Sequence, residues 1–379
     1  MTQPRIAVQP HSLTVHWPDG RASDFASLWL RDNQREDRDA HSGQRLIDIM
    51  DLPTAPLIRS ASIDNDTVRV VWDDNATSAS FPLNWLIECV PGAAQAAPER
   101  DTRRWLEGAA MSAAENFAWI SFDAARLATP QRLQWMVRLL QDGVAFVRGV
   151  PCTDNGIVEA MASLGQISST NYGLVFDVRS VPAPENLAYS DRGLGLHTDN
   201  PYREPVPGFQ SLHALLTSSE GGDSVFADGF ALAEHLRTEA PDAFAQLTQT
   251  AVPFAYRSKD ADLYAERPLI QLSCNGSVAA VHYNSRSIAP LRLNATDAQR
   301  FYAAYRRFAA LLREPRFQLK FRLHDGDLVM FDNQRILHGR TGFSAQRYPR
   351  HLRGCYLSRD SVYSATALLR RAITATVPA

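Results

Sequence analysis

The sequence contains little cysteine and no paired cysteine motif. Its 379 residues include four cysteines, and the spacing between them is too wide for any CxxC pair. The pattern excludes a small disulfide-stabilised scaffold and favours reduced thiols, so we expect a cytoplasmic protein. The four residues are Cys89, Cys152, Cys274 and Cys355.

An excess of one charge and a long apolar run are also missing. Lys and Arg number 39 against 41 Asp and Glu, which gives a net charge of -2. No uninterrupted apolar stretch approaches the roughly 20 residues of a membrane-spanning helix, and the first residues lack the apolar core of a signal peptide. Nucleic acid and membrane surfaces are therefore not expected as partners.

The apolar content predicts a large core divided between two domains. Hydrophobic residues make up 45% of the chain. Short alternating runs at 6–8, 13–17 and 68–72 predict a small β-rich N-terminal domain over residues 1–92. A small, uncharged, Pro-bounded stretch follows, so we place a linker at 93–100 and a second domain at 101–379.

The second domain contains two clear helix patterns in a chain otherwise typical of strands. Thr129-Pro130 begins the first helix, Gly143 ends it, and 144–147 reads as a buried strand. Another amphipathic helix is predicted from Asn294 or Thr296 to just before Pro315. The remainder from residue 165 onward is predicted to be mostly strands and turns. The fold class is therefore mainly β, within α+β.

Two histidines and one aspartate form a candidate metal site. His197 and Asp199 are two residues apart, so they point to the same side at the end of a strand. His338 follows the apolar strand 328–331 and could supply a third ligand. Two imidazoles and a carboxylate on one face of an octahedron are typical of non-haem Fe(II) sites. The spacing alone leaves open a structural role, with His197 as a cap and His338 in the core.

A serine and an arginine are candidates for binding a 2-oxoacid near that metal. Ser224 follows a Gly-Gly-Asp turn into a strand. Arg350 lies 12 residues after His338, where a neighbouring antiparallel strand could begin. A guanidinium can hold the distal carboxylate of a 2-oxoacid bidentately. An ordinary turn at Ser224 and a solvated basic loop around Arg350 remain the structural alternatives.

Several motifs together resemble the γ-butyrobetaine hydroxylase-like branch of the Fe(II)/2-oxoglutarate-dependent dioxygenases. That branch also contains trimethyllysine dioxygenase and 2-trimethylaminoethylphosphonate dioxygenase, and the resemblance spans nearly the whole chain. The motifs are Leu-Trp-Leu-Arg-Asp-Asn at 28–33, His-Thr-Asp at 197–199, Gly-Gly-Asp-Ser-Val-Phe-Ala-Asp-Gly at 221–229, Phe-Asp-Asn-Gln-Arg-Ile-Leu-His-Gly-Arg at 331–340 and Gly-Cys-Tyr-Leu at 354–357.

The resemblance implies a fold, a cofactor set and an assembly. The catalytic domain is expected to be a double-stranded β-helix, or jelly roll, with flanking helices. His197, Asp199 and His338 are implied as Fe(II) ligands and Arg350, with Ser224, as the 2-oxoglutarate site. O2 is the second cosubstrate, and a homodimer is expected.

The N-terminal domain departs from the family pattern at its metal site. Members of the branch often carry cysteines just after the 28–33 motif, and these hold a structural zinc with a later histidine. Here Gln34 to Asp39 provide no thiolate, and His41 is the nearest histidine. Because structural zinc requires Cys and His ligands, we expect no zinc in this domain.

The substrate pocket is expected to bind a trimethylammonium group at one end and an anion at the other. The resemblance places an aromatic cage at Tyr172, Phe176, Tyr189 and Tyr356, where ring faces would attract the cation. It also places Asn186 near the anion. On a strand, His282, Asn284 and Arg286 would share one face and join it there.

The sequence therefore predicts hydroxylation of a small trimethylammonium zwitterion, with succinate and CO2 as co-products. Arg286 ranks 2-(trimethylammonio)ethylphosphonate first, because a phosphonate carries up to two charges and favours a cationic donor. γ-Butyrobetaine ranks second, with carnitine as its product, and trimethyllysine third. The rival from another class is a quaternary-ammonium binding protein whose metal motif is vestigial.

Overall fold

The computed structural model describes residues 3–74, 78–90, 102–105, 114–179, 192–217, 220–344 and 350–375. The chain divides into two compact units, Met1–Pro98 and Glu99–Ala379. The predicted linker at 93–100 lies outside the described residues, so the domain boundaries drawn from the sequence stay predictions.

The first unit is built from two three-stranded antiparallel sheets, ordered β1-β2-β3 and β4-β5-β6. Alternating side chains of its strands enter one core, where Leu13, Val15, Val68 and Val70 are all fully buried. This confirms the predicted β-rich character. Its elements are β1 (Arg5–Gln9), β2 (Ser12–His16), β3 (Ala22–Ala26), α1 (Ser27–Asp32), β4 (Ile58–Asp64), β5 (Thr67–Trp72), β6 (Ala79–Pro82) and α2 (Leu83–Glu88).

The second unit alternates strands with helices along its whole described length. Its elements are β7 (Ala118–Ser121), α3 (Phe122–Arg126), α4 (Pro130–Asp142), β8 (Val144–Arg148), α5 (Gly156–Met161), β9 (Ile167–Ser168), β10 (Phe176–Arg179), β11 (Leu194–His197), β12 (Phe209–Leu216), β13 (Ser224–Asp228), α6 (Gly229–Glu239), α7 (Pro241–Gln249), β14 (Val252–Arg257), β15 (Asp262–Arg267), β16 (Ile270–Leu272), β17 (Val278–Val281), α8 (Ala295–Leu311), β18 (Leu319–Phe321), β19 (Leu328–Asp332), β20 (Ile336–Arg340), β21 (His351–Leu357) and α9 (Arg359–Ala375).

Two sheets of this unit form the predicted jelly roll. The larger sheet runs β10-β21-β12-β19-β8-β7, with β9 beside β21, and the smaller one runs β11-β20-β13-β18. Aromatic side chains of the two sheets meet: the Phe226 and Phe331 rings are 4.8 Å apart, and the Phe146 and Phe321 rings 5.2 Å. This core fixes the smaller sheet, whose strands β11 and β20 bear the two candidate metal-binding histidines.

Both predicted helices of the second unit are present and capped as expected. The Thr129 hydroxyl accepts a hydrogen bond from the Arg132 amide, Pro130 occupies the first turn of α4, and Gly143 ends it with φ 77°. The Asn294 side chain accepts from the Asp297 amide at 2.9 Å and begins α8. Local capping chemistry therefore determines where these helices begin and end.

The prediction of mostly strands and turns beyond residue 165 is wrong for α6, α7 and α9. Asp228 caps α6 by accepting from the Phe230 amide at 3.0 Å. The first five residues of α6 are all buried and show no polar alternation, so the sequence offers no helical period there. In α9, by contrast, Val362, Thr366 and Leu369 form a buried stripe, and their helical spacing is visible in the sequence. No helix in the described parts of the chain is long and apolar enough to cross a membrane.

Candidate active site

Strand pairing brings the two candidate metal-binding histidines together. His197 ends β11 and lies directly opposite His338 in β20, with 4.3 Å between the ring centroids. Asp199 places one carboxylate oxygen 3.3 Å from Nε2 of His197 and the other 3.8 Å from Nε2 of His338. The three candidate ligand atoms all lie within 4.8 Å of one another. The structure thus assembles the triad that the sequence spacing suggested.

Hydrogen bonds orient two of the three candidate ligands, His197 and Asp199. Nδ1 of His197 lies 2.8 Å from the Gly195 carbonyl, so a proton on Nδ1 leaves Nε2 free to coordinate. The Asp199 amide donates to Oδ1 of Asn333 at 2.7 Å, and Nδ2 of Asn333 donates back to the Asp199 carbonyl at 3.1 Å. The Tyr356 hydroxyl donates to the Asp199 carboxylate at 2.8 Å. This positioning role of Asn333 was not predicted from the sequence.

The electrostatics prepare the site for a cation. Burial alone would raise the pKa of Asp199, but the neighbouring His338 and His197 and the Tyr356 hydroxyl outweigh it and lower that pKa below its usual range. Burial, followed by the neighbouring His197, lowers the pKa of His338 to about 3. At neutral pH the site therefore contains an ionised carboxylate and a neutral His338, as metal ligation requires.

A cavity of about 530 Å³, its open mouth included, adjoins the triad and contains both predicted cosubstrate residues. Ser224, at the start of β13, is 5% exposed, and Arg350 lies just before β21. Gly222 has φ +69°, and a Cβ there would meet the Arg350 side chain at 3.0 Å. The glycine therefore leaves room for the arginine that lines this cavity.

Five aromatic residues form a continuous cluster near the triad. The centroid of Phe176 lies 5.1 Å from that of Tyr356 and 6.3 Å from that of Tyr172. Tyr172 lies 6.2 Å from Tyr256, which stacks on Tyr202 at 5.2 Å. Three of the predicted cage residues are thus neighbours, whereas Tyr189 and Asn186 lie outside the described residues.

The two remaining aromatic residues of this cluster were not predicted from the sequence. Tyr202 lies three residues after Asp199, and this closeness to the metal motif in the sequence could have identified it. Tyr256 belongs to the hairpin of β14 and β15, and nothing local connects that hairpin to the metal motif. The Phe176 ring also depends on Gly354, its partner across the strands, because a Cβ at that position would collide with the ring.

The prediction that His282, Asn284 and Arg286 share one strand face is wrong. Strand β17 ends at Val281, so the three side chains follow no alternation. His282 is 1% exposed, and its Nε2 lies 3.1 Å from the Gln271 side chain. Asn284 and Arg286, in contrast, line a second cavity together with His197. Asn284 donates to the Thr198 carbonyl at 3.1 Å, within the metal motif itself.

The donor set fits iron. Two imidazoles and one carboxylate, grouped beside an open cavity, match the donor set used by non-haem Fe(II) oxygenases. Bound iron would supply O2 activation, while the residues around it orient the ligands and hold the organic partners.

Comparison with known proteins agrees with this site. Residues 109–356 match the family described as taurine catabolism dioxygenase TauD, TfdA family, and residues 5–87 match the γ-butyrobetaine hydroxylase-like N-terminal family. The chain is 35% identical to the γ-butyrobetaine dioxygenase of Pseudomonas sp. (strain AK-1), across 95% of this chain and 94% of the relative. It is 26% identical to the trimethyllysine dioxygenase of Meyerozyma guilliermondii, across 94% and 93%.

A solved structure supports the fold. A Burkholderia xenovorans protein, whose structure is named for an α-ketoglutarate-dependent taurine dioxygenase, matches with a TM-score of 0.50 at 17% identity, across 66% of this chain and 93% of that one. Fold, metal triad and relatives together define an Fe(II)- and 2-oxoglutarate-dependent dioxygenase. The chain belongs to the TauD, TfdA family and, within it, to the γ-butyrobetaine hydroxylase-like branch.

Proposed function

We propose that this dioxygenase hydroxylates γ-butyrobetaine. The observation that carries the proposal is the 35% identity, over almost the full length of both chains, to a γ-butyrobetaine dioxygenase. That match reverses the ranking made from the sequence, which put the phosphonate first because of Arg286. A guanidinium pairs bidentately with a carboxylate as well as with a phosphonate, so Arg286 does not by itself favour the doubly charged anion.

The aromatic cluster supports recognition of the trimethylammonium end. Several ring faces around a quaternary ammonium replace its hydration by cation–π attraction, about 2 kcal/mol for a desolvated contact. Tyr172, Phe176, Tyr202, Tyr256 and Tyr356 are the candidate walls.

The anion end is assigned to Asn284 and Arg286. Arg286 lines a cavity together with His197, and its positive charge lies within electrostatic range of Asp199 and of Tyr202, one of the clustered aromatic residues. A substrate held by the rings and by Arg286 would therefore pass beside the iron. Tyr189 and Asn186 remain proposed substrate contacts, and the homodimer remains a prediction.

The test is a comparison of kcat/KM among substrates with matched shapes. The panel contains γ-butyrobetaine, 2-(trimethylammonio)ethylphosphonate, trimethyllysine and the isostere of γ-butyrobetaine in which a tert-butyl group replaces the trimethylammonium group. We expect γ-butyrobetaine to have the highest kcat/KM, and the isostere, which lacks the positive charge, to lose most of it. A higher kcat/KM for the phosphonate would restore the ranking made from the sequence. An equal kcat/KM for the isostere and γ-butyrobetaine would show that the aromatic cluster does not recognise the positive charge.

A further inference from the structure

Gln210 is a buried polar side chain in the wall of the active-site cavity. It belongs to β12, is 2% exposed, and lines the cavity together with His197 and Asp199. Its Oε1 atom is enclosed and has no hydrogen-bond partner among the described residues. Because an unpaired buried amide destabilises the folded protein, one that faces a cavity indicates a group bound there.

Strand pairing places Gln210 at the level of the metal triad. In the larger sheet it pairs with Tyr356 of β21 on one side and with Phe331 of β19 on the other, so the three side chains share one face. The Tyr356 hydroxyl donates to the Asp199 carboxylate at 2.8 Å. The Phe331 ring lies 4.9 Å from the ring of His338. Both neighbours of Gln210 therefore contact a candidate metal ligand.

The predicted contacts for the far end of 2-oxoglutarate lie at a different level of the cavity. In β13, Phe226 pairs with His338, and Ser224 is two residues away, one strand repeat or about 7 Å. Arg350 lines the same cavity and lies against the Gly-Gly turn before β13. A 2-oxoacid whose distal carboxylate reaches Ser224 and Arg350 would therefore place its 1-carboxylate and 2-oxo group at the level of Gln210.

The trimethylammonium substrate is a poor partner for this amide. Its cationic head donates no hydrogen bond, and its anionic end is assigned to Asn284 and Arg286, which line a second cavity. The carboxylate of a chelating 2-oxoacid, in contrast, accepts hydrogen bonds from an amide N–H. Half a turn of the terminal amide of Gln210 exchanges Oε1 and Nε2, so Nε2 can face the cavity as well.

We propose that Gln210 binds the chelating end of 2-oxoglutarate by donating a hydrogen bond from Nε2 to the 1-carboxylate. Gln210 then holds the end of the cosubstrate opposite to the one assigned to Ser224 and Arg350, and it orients that end toward the metal ligands. Because this role concerns the cosubstrate alone, it holds whichever trimethylammonium compound is oxidised.

The test measures 2-oxoglutarate binding directly, without turnover. Wild type, Gln210→Met, Gln210→Glu and Ser224→Ala are loaded with Fe(II) under anaerobic conditions and titrated with 2-oxoglutarate. The visible charge-transfer absorbance of the Fe(II)–2-oxoacid complex gives the Kd and also the wavelength of the band, which depends on the groups around the chelating end. Gln249→Met, at an exposed position at the end of α7, is the matched control and should behave as wild type.

We expect Gln210→Met, which removes the amide at similar volume, to raise the Kd roughly 10- to 100-fold, the range of a lost hydrogen bond to a charged group, and to shift the band. Ser224→Ala should raise the Kd without a band shift, because it acts on the distal carboxylate. Gln210→Glu should raise the Kd more at pH 8 than at pH 6, because the introduced carboxyl repels the 1-carboxylate only when it is ionised.

An unchanged Kd in both Gln210 variants would overturn the proposal. A raised Kd with the band at its wild-type wavelength would overturn it as well, because the loss would then arise away from the chelating end. Gln210→Glu, which keeps the shape of the side chain, serves if Gln210→Met does not fold.

Discussion

At the scale of single residues, Tyr356 connects the metal site to the aromatic cluster. Its hydroxyl donates to the Asp199 carboxylate at 2.8 Å, and its ring lies 5.1 Å from that of Phe176. Burial, followed by the nearby Asp199 charge, raises the pKa of Tyr356 well above its ordinary value. The hydroxyl therefore stays protonated and keeps donating, while the ring is free to contact a cation.

The two roles of Tyr356 can be separated by substitution. Tyr356→Phe removes the hydrogen bond and keeps the ring, so we expect Fe(II) affinity to fall roughly 10- to 100-fold, the effect of one hydrogen bond to a charged group, with little change in substrate KM. Tyr356→Leu should in addition raise the KM for the trimethylammonium substrate. Fe(II) titration and steady-state kinetics on both variants check this. A KM increase in the Phe variant without a change in iron affinity would show that the roles are assigned wrongly.

At the scale of elements, the segment after α1 forms side-chain hydrogen bonds at the position where the family pattern has a zinc site. Gln34 is 1% exposed; its Oε1 accepts from the Trp72 indole at 3.0 Å, and its Nε2 donates to Asp37 at 2.7 Å. Asp37 also pairs with Arg31 at 3.1 Å. Gln34 thus links α1 to β5 through satisfied side-chain hydrogen bonds.

We expect Gln34→Ala to destabilise the first unit by about 1–3 kcal/mol, because the Trp72 indole then loses its buried acceptor. Treating the wild-type protein with a metal chelator should leave the unfolding of this unit unchanged, since the segment offers no thiolate ligand. Thermal unfolding followed by the fluorescence of Trp72 and its neighbours, together with metal analysis, tests both. Stoichiometric zinc whose removal unfolds the unit would contradict this view.

Helices whose ends are determined by local capping residues were predictable from the sequence. Thr129, Gly143 and Asn294 determine helix ends through local hydrogen bonds and a left-handed backbone, so α4 and α8 were found. Strand β17 was extended too far because an alternating pattern in 282–286 does not reveal where hydrogen bonding to a neighbour stops. Helix α6 was missed because its first turns are buried on every side.

At the scale of the whole molecule, the site depends on pairings between distant segments. His197, Asp199 and His338 were recognisable as residue types at suitable spacing. The register that puts Arg340 beside Ser224, and the hairpin that brings Tyr256 to Tyr172, join segments far apart in the chain. No local pattern encodes those contacts. The sequence therefore predicted the fold and the three residues of the candidate metal site, but not the full wall of the pocket.

The whole molecule also buries histidines that must stay neutral. Burial is the main cause that lowers the pKa of both His282 and His338 to about 3, from an ordinary value of 6.5. Burial lowers the pKa of His213 as well. Below pH 6.5 these histidines are protonated in the unfolded chain but stay neutral in the folded chain. Their contribution to the free energy of unfolding is therefore fully present above that pH and is lost as the pH falls toward 3.

We therefore expect the iron-free protein to lose up to about 1.4 kcal/mol of unfolding free energy per pH unit for each such histidine between pH 6 and pH 4. His282→Gln removes one of them away from the metal site and should flatten the slope by that amount. Urea unfolding at a series of pH values measures both proteins. Equal slopes in wild type and variant would show that His282 titrates normally.

The proposed function requires that 2-oxoglutarate decarboxylation be coupled to hydroxylation of γ-butyrobetaine at a site formed by His197, Asp199 and His338. The most direct test is to quantify succinate and hydroxylated γ-butyrobetaine in the same sample, with wild type and with His338→Ala. We expect equal amounts of the two products in wild type, dependent on Fe(II), and neither product in the variant, because two remaining ligands hold iron poorly. Succinate formed without hydroxylated γ-butyrobetaine, or full turnover by His338→Ala, would contradict it.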